Sequence, residues 1–291
     1  MDRPTSAASS GSSSAPSGEQ FEITSGDQRA TIVEVGGGIR EYEVGGRLVL
    51  DPYSVDAMCD GAHGAVLVPW PNRLADGRYR FDGVDHQVAL TEPEKANAIH
   101  GLLRWRSWRA AHRTSSRVVM ATRLHPLMGY PFSLDVSVAY ELGDAGLMVA
   151  TTAINIGATP CPYGCGQHPY LSAGTGLIDA CTLELDARTR ILTDDERQLP
   201  IGSEPVAGTP FDFSQGTLLE DLKVDFAFTD LSRDQSGRAC TRLSQPDGRR
   251  AELWVDEHSP NVETYTGGPI RPPARRPALW PAPRPTAPLD S

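Results

Sequence analysis

The sequence predicts an all-β protein, a sandwich or barrel of many short antiparallel strands. Apolar residues recur at alternate positions, as in FSLDVSVAYEL over residues 132–142, so one face of the strand is buried and the other wet. Turn formers are frequent, with 28 glycines and 24 prolines spread among the strand-like segments, and this favours β architectures with many connections. No long apolar stripe at i, i+3 and i+4 with helix caps occurs, so helices are not expected to carry the core.

Taken in order, residues 1–20 (MDRPTSAASSGSSSAPSGEQ) read as a disordered polar arm without the apolar core of a signal peptide. Residues 21–276 read as one domain, because no composition break or fixed-period repeat divides them. The Asp82-Gly83 pair inside YRFDGVD and the Pro246-Asp247-Gly248 triplet sit between strand-like flanks and signal hairpins. Residues 146–156 (GLMVATTAINI) are apolar on both faces, which predicts a strand near the centre of a stack. Residues 277–291 diverge into arginine- and proline-rich text.

Composition narrows the function. The chain carries 37 Asp and Glu against 27 Lys and Arg, which argues against sequence-independent nucleic-acid binding, since that depends on basic surface. No apolar run approaches the roughly 20 residues of a membrane helix. Five cysteines without an export signal predict free thiols in a reducing cytoplasm. Cys161 and Cys165 have no second Cys/His pair at zinc spacing, so no metal site is expected.

Four segments concentrate polar residues between turn formers. In VPWPNRL (68–74), prolines on both sides of Trp70 stiffen the support for Asn72 and Arg73. NAIHG (97–101) and YGCGQHPYL (163–171) each frame a histidine, His100 or His168, with backbone punctuation; two glycines in the second allow close approach to a ligand. In LKVDFAFT (222–229), Asp225 interrupts an apolar alternation, and periodicity leaves open whether it faces solvent or a cleft.

The order PWPNR, NAIHG, GQHPYL, VDFAFTDL, ELWVDEHSPNVETYTG resembles the aldose 1-epimerases, the galactose mutarotase family, over about residues 22–276. The resemblance implies a large antiparallel β-sandwich with a sugar-binding cleft on one sheet, and interconversion of the anomers of a free aldose, such as an aldohexose, without metal or organic cofactor. It implies a histidine acid matching His168 and a second sugar-contacting histidine matching His100. Arg73 and Asp225 match residues that hold sugar hydroxyls, with Asn72 in support. Histidine suits the acid role because its ordinary pKa of about 6.5 lets it hold or give a proton near neutrality. Trp70, Tyr170 and Tyr265 could offer flat surfaces to a sugar ring or serve as core packing. The protein is expected to act as a monomer or homodimer in the cytoplasm.

The family's base lies after the YTG segment, in a stretch usually reading Ala-Val-Glu-Pro. Here the segment in register is Ala278-Leu279-Trp280-Pro281, so Trp280 stands in the glutamate's slot. An indole cannot accept a proton from a hydroxyl. Only Glu263 and Asp290 follow His258 as acids, and Glu263 substitutes only if its side chain points into the cleft. The text beyond Arg276 is what a frame change in a GC-rich gene would produce. Two alternatives to an epimerase remain at this stage: a non-catalytic carbohydrate-binding protein, and a hexose-6-phosphate epimerase relative that would need basic residues such as Arg104, Arg106 or Arg109 in the cleft.

Overall fold

The computed structural model describes residues 15–174 and 177–267, together with the backbone of 278–282. Most of residues 1–20 and of 277–291 therefore lie outside the described residues. Ser17 is buried, so packed structure begins slightly ahead of residue 21.

The first strands among the described residues form an antiparallel meander of β1 (Gln20–Ser25), β2 (Gln28–Val33), β3 (Ile39–Val44) and β4 (Arg47–Leu48). Short strands β5 (Val66–Leu67), β6 (Arg73–Ala75), β7 (Arg78–Phe81), β8 (Val84–Gln87) and β9 (Asn97–Ile99) follow. Strands β7 and β8 form the expected hairpin. Asp82 and Gly83 at its tip have φ of 48° and 77°, the left-handed pair that a two-residue hairpin turn requires.

A second four-stranded sheet is ordered β10 (Arg109–Arg113), β11 (Arg117–Leu124), β12 (Leu134–Gly143), β13 (Gly146–Asn155). In β12 the alternation is realised as read: Leu134, Val136, Val138, Tyr140 and Leu142 are buried while the residues between them are partly exposed. The expectation for β13 is corrected. It is the edge of its sheet, and its outward positions Met148 and Ile154 are 58% and 57% exposed. They pair with Glu141 and Asp135, the wet face of β12. Two apolar faces therefore signify here a strand covered on one face only.

After β14 (Gly166–Gln167), which pairs with β5, come two further sheets. One combines β15 (Thr182–Leu185) with three later strands, in the order β18 (Thr217–Leu218), β15, β20 (Ala239–Ser244), β21 (Arg250–Val255). The other is ordered β17 (Pro200–Pro205), β16 (Ala187–Thr193), β19 (Asp225–Leu231), β22 (Asn261–Tyr265), β23 (Ala278–Ala282). The only helical turns among the described residues are two 3-10 turns, Pro93–Lys95 and Ile178–Ala180.

The result is a large antiparallel β-sandwich. A continuous core runs through it, including Ile23, Ile32, Met120, Tyr140, Leu183, Phe228 and Val262. Tyr140 is fully buried and donates its hydroxyl to the Gly37 carbonyl at 2.8 Å, so its polar tip is satisfied. A smaller cluster of Ala62, Ala65, Leu67 and Tyr170 lies beneath the segment that carries His168.

Candidate functional site

The polar segments converge on the face of β19 and β22. Register explains why. Asp225 is paired with Tyr265 and Ala227 with Glu263, so Asp225 and Glu263 stand on one face of adjacent strands, diagonally related. Asp225 is therefore not the outward solvated carboxylate that periodicity left possible. It accepts a 2.6 Å hydrogen bond from Gln198 Nε2, and burial raises its pKa against the pull of Arg73.

Facing these strands, the turn after Pro71 and the end of β9 lock together. The Asn72 N–H donates to His100 Nδ1 at 3.1 Å, and the His100 N–H donates to the Asn72 carbonyl at 3.0 Å. Both residues are left-handed, with φ of 58° and 62°. That region is unfavourable for a side-chain-bearing residue, and such conformations concentrate where the surroundings fix them. Gly101 continues the turn at φ 73°, and a Cβ there would lie 2.1 Å from the Val68 carbonyl oxygen. Only glycine permits this close approach.

Arg73 enters β6 already engaged. Its Nε and Nη2 donate to the two carboxylate oxygens of Glu92 at 2.8 and 3.0 Å, and its Nη1 donates to Asn72 Oδ1 at 3.3 Å. Burial opposes ionisation of Glu92, but the hydrogen bonds from Arg73 and Asn97 outweigh it and hold the carboxyl below its usual pKa. The clamp turns Arg73 into a fixed positive charge beside Asp225 and Glu263.

His100 and His168 are brought together, with ring centroids 5.3 Å apart and planes at 89°. Both are buried. The sequence expectation of ordinary histidine acidity is corrected: burial drives both rings well below 6.5, reinforced for His100 by His168 and Arg104 and for His168 by His63 and Arg104. Both imidazoles are neutral at pH 7. Because Nδ1 of His100 accepts from Asn72, its proton resides on Nε2.

Glu263 is the residue that the sequence left conditional. Its carboxyl is 4% exposed and accepts from Asn72 Nδ2 at 3.2 Å, which ties β22 to the PWPNR turn. Burial, followed by the nearby Asp225 charge, pushes its pKa up to about 8 despite Arg73 and Asn72. Its partner across the last strand pair is Trp280.

Further groups escaped the sequence reading. His63 stacks on Tyr170 at 3.7 Å and reaches Asp51 at 3.1 Å; Tyr170 in turn lies 5.2 Å from His168. Tyr170 is buried and packs against both rings. The Gly-Ala-His-Gly text around His63 was a legible signal, a third glycine-framed histidine; Glu92 and Gln198 had none, since Arg73 and Asp225, which they bind, lie 19 and 27 positions away. Arg104 is half-buried within electrostatic reach of both site histidines and enters no ion pair among the described residues. Among the described residues no group of three or more His, Cys, Asp or Glu is placed to hold a metal ion, and no helix is long and apolar enough to cross a membrane.

Comparison with known proteins gives this geometry a context. A model of the family "Aldose 1-epimerase" matches residues 19–280. The chain is 36% identical over 213 residues to the uncharacterized protein YihR of Escherichia coli, spanning 73% of this chain and 69% of that one. It is 30% identical over 223 residues to the galactose mutarotase of Sus scrofa, spanning 70% of this chain and 62% of the relative. For the aldose 1-epimerase of Escherichia coli the figures are 27% over 220 residues, 71% and 61%. The chain thus spans about three-fifths of the length of these two enzymes. Among solved structures, an aldose epimerase homologue from C. elegans superimposes with a TM-score of 0.77 at 19% identity, covering 90% of this chain and 89% of that one. A putative aldose 1-epimerase from Escherichia coli gives 0.76 at 21% identity, with coverage of 92% and 91%. At such identities the two structures speak for the fold alone.

Proposed function

Because this chain belongs to the aldose 1-epimerase family, we propose that it interconverts the α and β anomers of a free aldose by acid–base ring opening. Membership supports an isomerase-type protein acting on a sugar; the named reaction and the named residues are our reading. One observation carries it: segments far apart in sequence bring together two neutral histidines, His100 and His168, the buried carboxyl of Glu263 and the partly buried one of Asp225, with Asn72 bonded to both His100 and Glu263.

Mutarotation needs one group to take the proton of the anomeric hydroxyl and another to protonate the ring oxygen. The C1–O5 bond then breaks to give the open-chain aldehyde, C1–C2 rotates, and the steps reverse from either face. His168 serves one of these oxygens in our reading. Asp225 accepts from sugar hydroxyls and Arg73 positions Asn72 and the carboxyls around them, since both its terminal nitrogens and its Nε are already engaged.

Polarimetry on freshly dissolved α-glucose or α-galactose tests the reading. Acceleration above the spontaneous rate is expected, and loss of it in His168→Ala. An unchanged mutarotation rate for the wild-type protein with retained sugar binding would leave a carbohydrate-binding protein instead.

A second reading concerns the substrate. Arg104, unpaired with any carboxylate among the described residues and close to both histidines, suits a sugar bearing an anionic substituent such as a phosphate ester, because a guanidinium pairs with such oxygens by two parallel hydrogen bonds.

A further inference from the structure

The family's base has no counterpart at position 280, yet the site is not short of a carboxyl. Glu263 is on the strand paired directly with that position, in register with Trp280. It shares a sheet face with Asp225, and it is hydrogen bonded through Asn72 to the turn that also orients His100. We propose that Glu263 is the second proton-transfer residue of the site, acting with His168 in place of a glutamate at position 280. This rests on the mutarotase reading above.

The proton balance is simple. The Glu263–His168 pair must carry one proton between its two members. In ring opening the deprotonated member takes the O1 proton as the protonated member gives its proton to O5; the C1–O5 bond breaks and C1 becomes the aldehyde carbon. The pair again holds one proton, now on the other member, and closure returns it. No other reactant is consumed.

The surroundings of Glu263 support this role. Asp225 on β19 faces it as a like charge, Arg73 on β6 as an opposite one, and Asn72 as a neutral donor. Burial with Asp225 keeps its carboxyl protonated up to about pH 8, while burial keeps His168 unprotonated well below 6.5. The pair therefore holds one proton across neutrality, and the environments push the two groups apart in the manner of an acid–base pair. Activity is expected to be level around pH 7 and to fall as pH rises through about 8, where the single proton is lost.

The test compares wild-type protein with Glu263→Gln in the polarimetric assay and in equilibrium binding of α-galactose. The glutamine side chain keeps the shape and an acceptor for Asn72 but cannot exchange a proton. A loss of about 10²–10⁴-fold in kcat is expected, with sugar affinity changed by only a few-fold. Trp280→Glu added to that variant should recover activity. An active wild type with an equally active Glu263→Gln variant overturns the role of Glu263 and leaves the mutarotase reading standing; a wild type that does not turn over overturns both. Should Glu263→Gln fail to fold, the wild-type pH profile decides: kcat/KM still constant at pH 9 overturns the proposal.

Discussion

Asn72 and His100 hold each other by two hydrogen bonds, backbone N–H to Nδ1 at 3.1 Å and backbone N–H to backbone carbonyl at 3.0 Å, and both adopt left-handed backbone. The pair is the hinge on which the candidate site is organised, because the Asn72 side chain also reaches Glu263 and Arg73.

Two replacements of Asn72 separate its backbone role from its side-chain role. Asn72→Gly keeps the left-handed turn at no steric cost but removes the amide. Asn72→Ala loses both, and should be less stable than the glycine variant by about 1 kcal/mol in chemical denaturation. Both variants should show the alkaline limb of the activity profile displaced upward, since the amide stabilises the ionised form of Glu263.

Stability should fall with pH on account of Glu263. Its folded pKa lies above the unfolded value of about 4.3, so the folded state retains a proton that the unfolded chain releases, and stability is lost as pH rises through that window. His100 and His168 have the opposite sense. Their folded pKa values are depressed, so they cost stability only below about 6.5. Between pH 6.5 and 8 the Glu263 effect stands clear of theirs and amounts to about 2 kcal/mol. Thermal denaturation should show this decline in the wild type and its absence in Glu263→Gln.

A glutamate at position 280 should behave differently in two backgrounds. In Glu263→Gln it should restore mutarotation on the scale of a general base, about 10²-fold or more. In the wild type it would stand directly opposite Glu263, where cross-strand neighbours lie about 5 Å apart. Two carboxyls so placed do not both ionise readily, so the alkaline limb should shift upward. Steady-state pH profiles of the two variants check this.

Arg104→Gln should discriminate between sugars. For a sugar phosphate the loss of a charge-assisted pair should raise KM by about tenfold or more, while KM for the neutral sugar stays within a few-fold. Equal effects on both would count against an anionic substituent at that position.

Much of the fold was legible because strand periodicity is a local property. The alternation over β12 and the Asp-Gly turn between β7 and β8 need no knowledge of the rest of the chain. The misplacement of β13 shows where this stops: Met148 and Ile154 are apolar, but whether a layer covers them depends on sheet order. The same holds for Asp225, whose face became defined only when β19 was seated between β16 and β22.

By itself, then, the sequence determined an all-β fold, membership of the aldose 1-epimerase family, and the turns that carry Asn72, Arg73, His100 and His168. It also showed that position 280 lacks a carboxylate. Only the tertiary structure decided that Arg73 is clamped by Glu92, that the histidines are too buried to hold a proton at neutrality, and that Glu263 reaches Asn72 across 191 positions of sequence. The reason is physical: periodicity fixes which residues share a face of one strand, but burial and pKa depend on which strand lies alongside, and that is settled only when the sheets assemble.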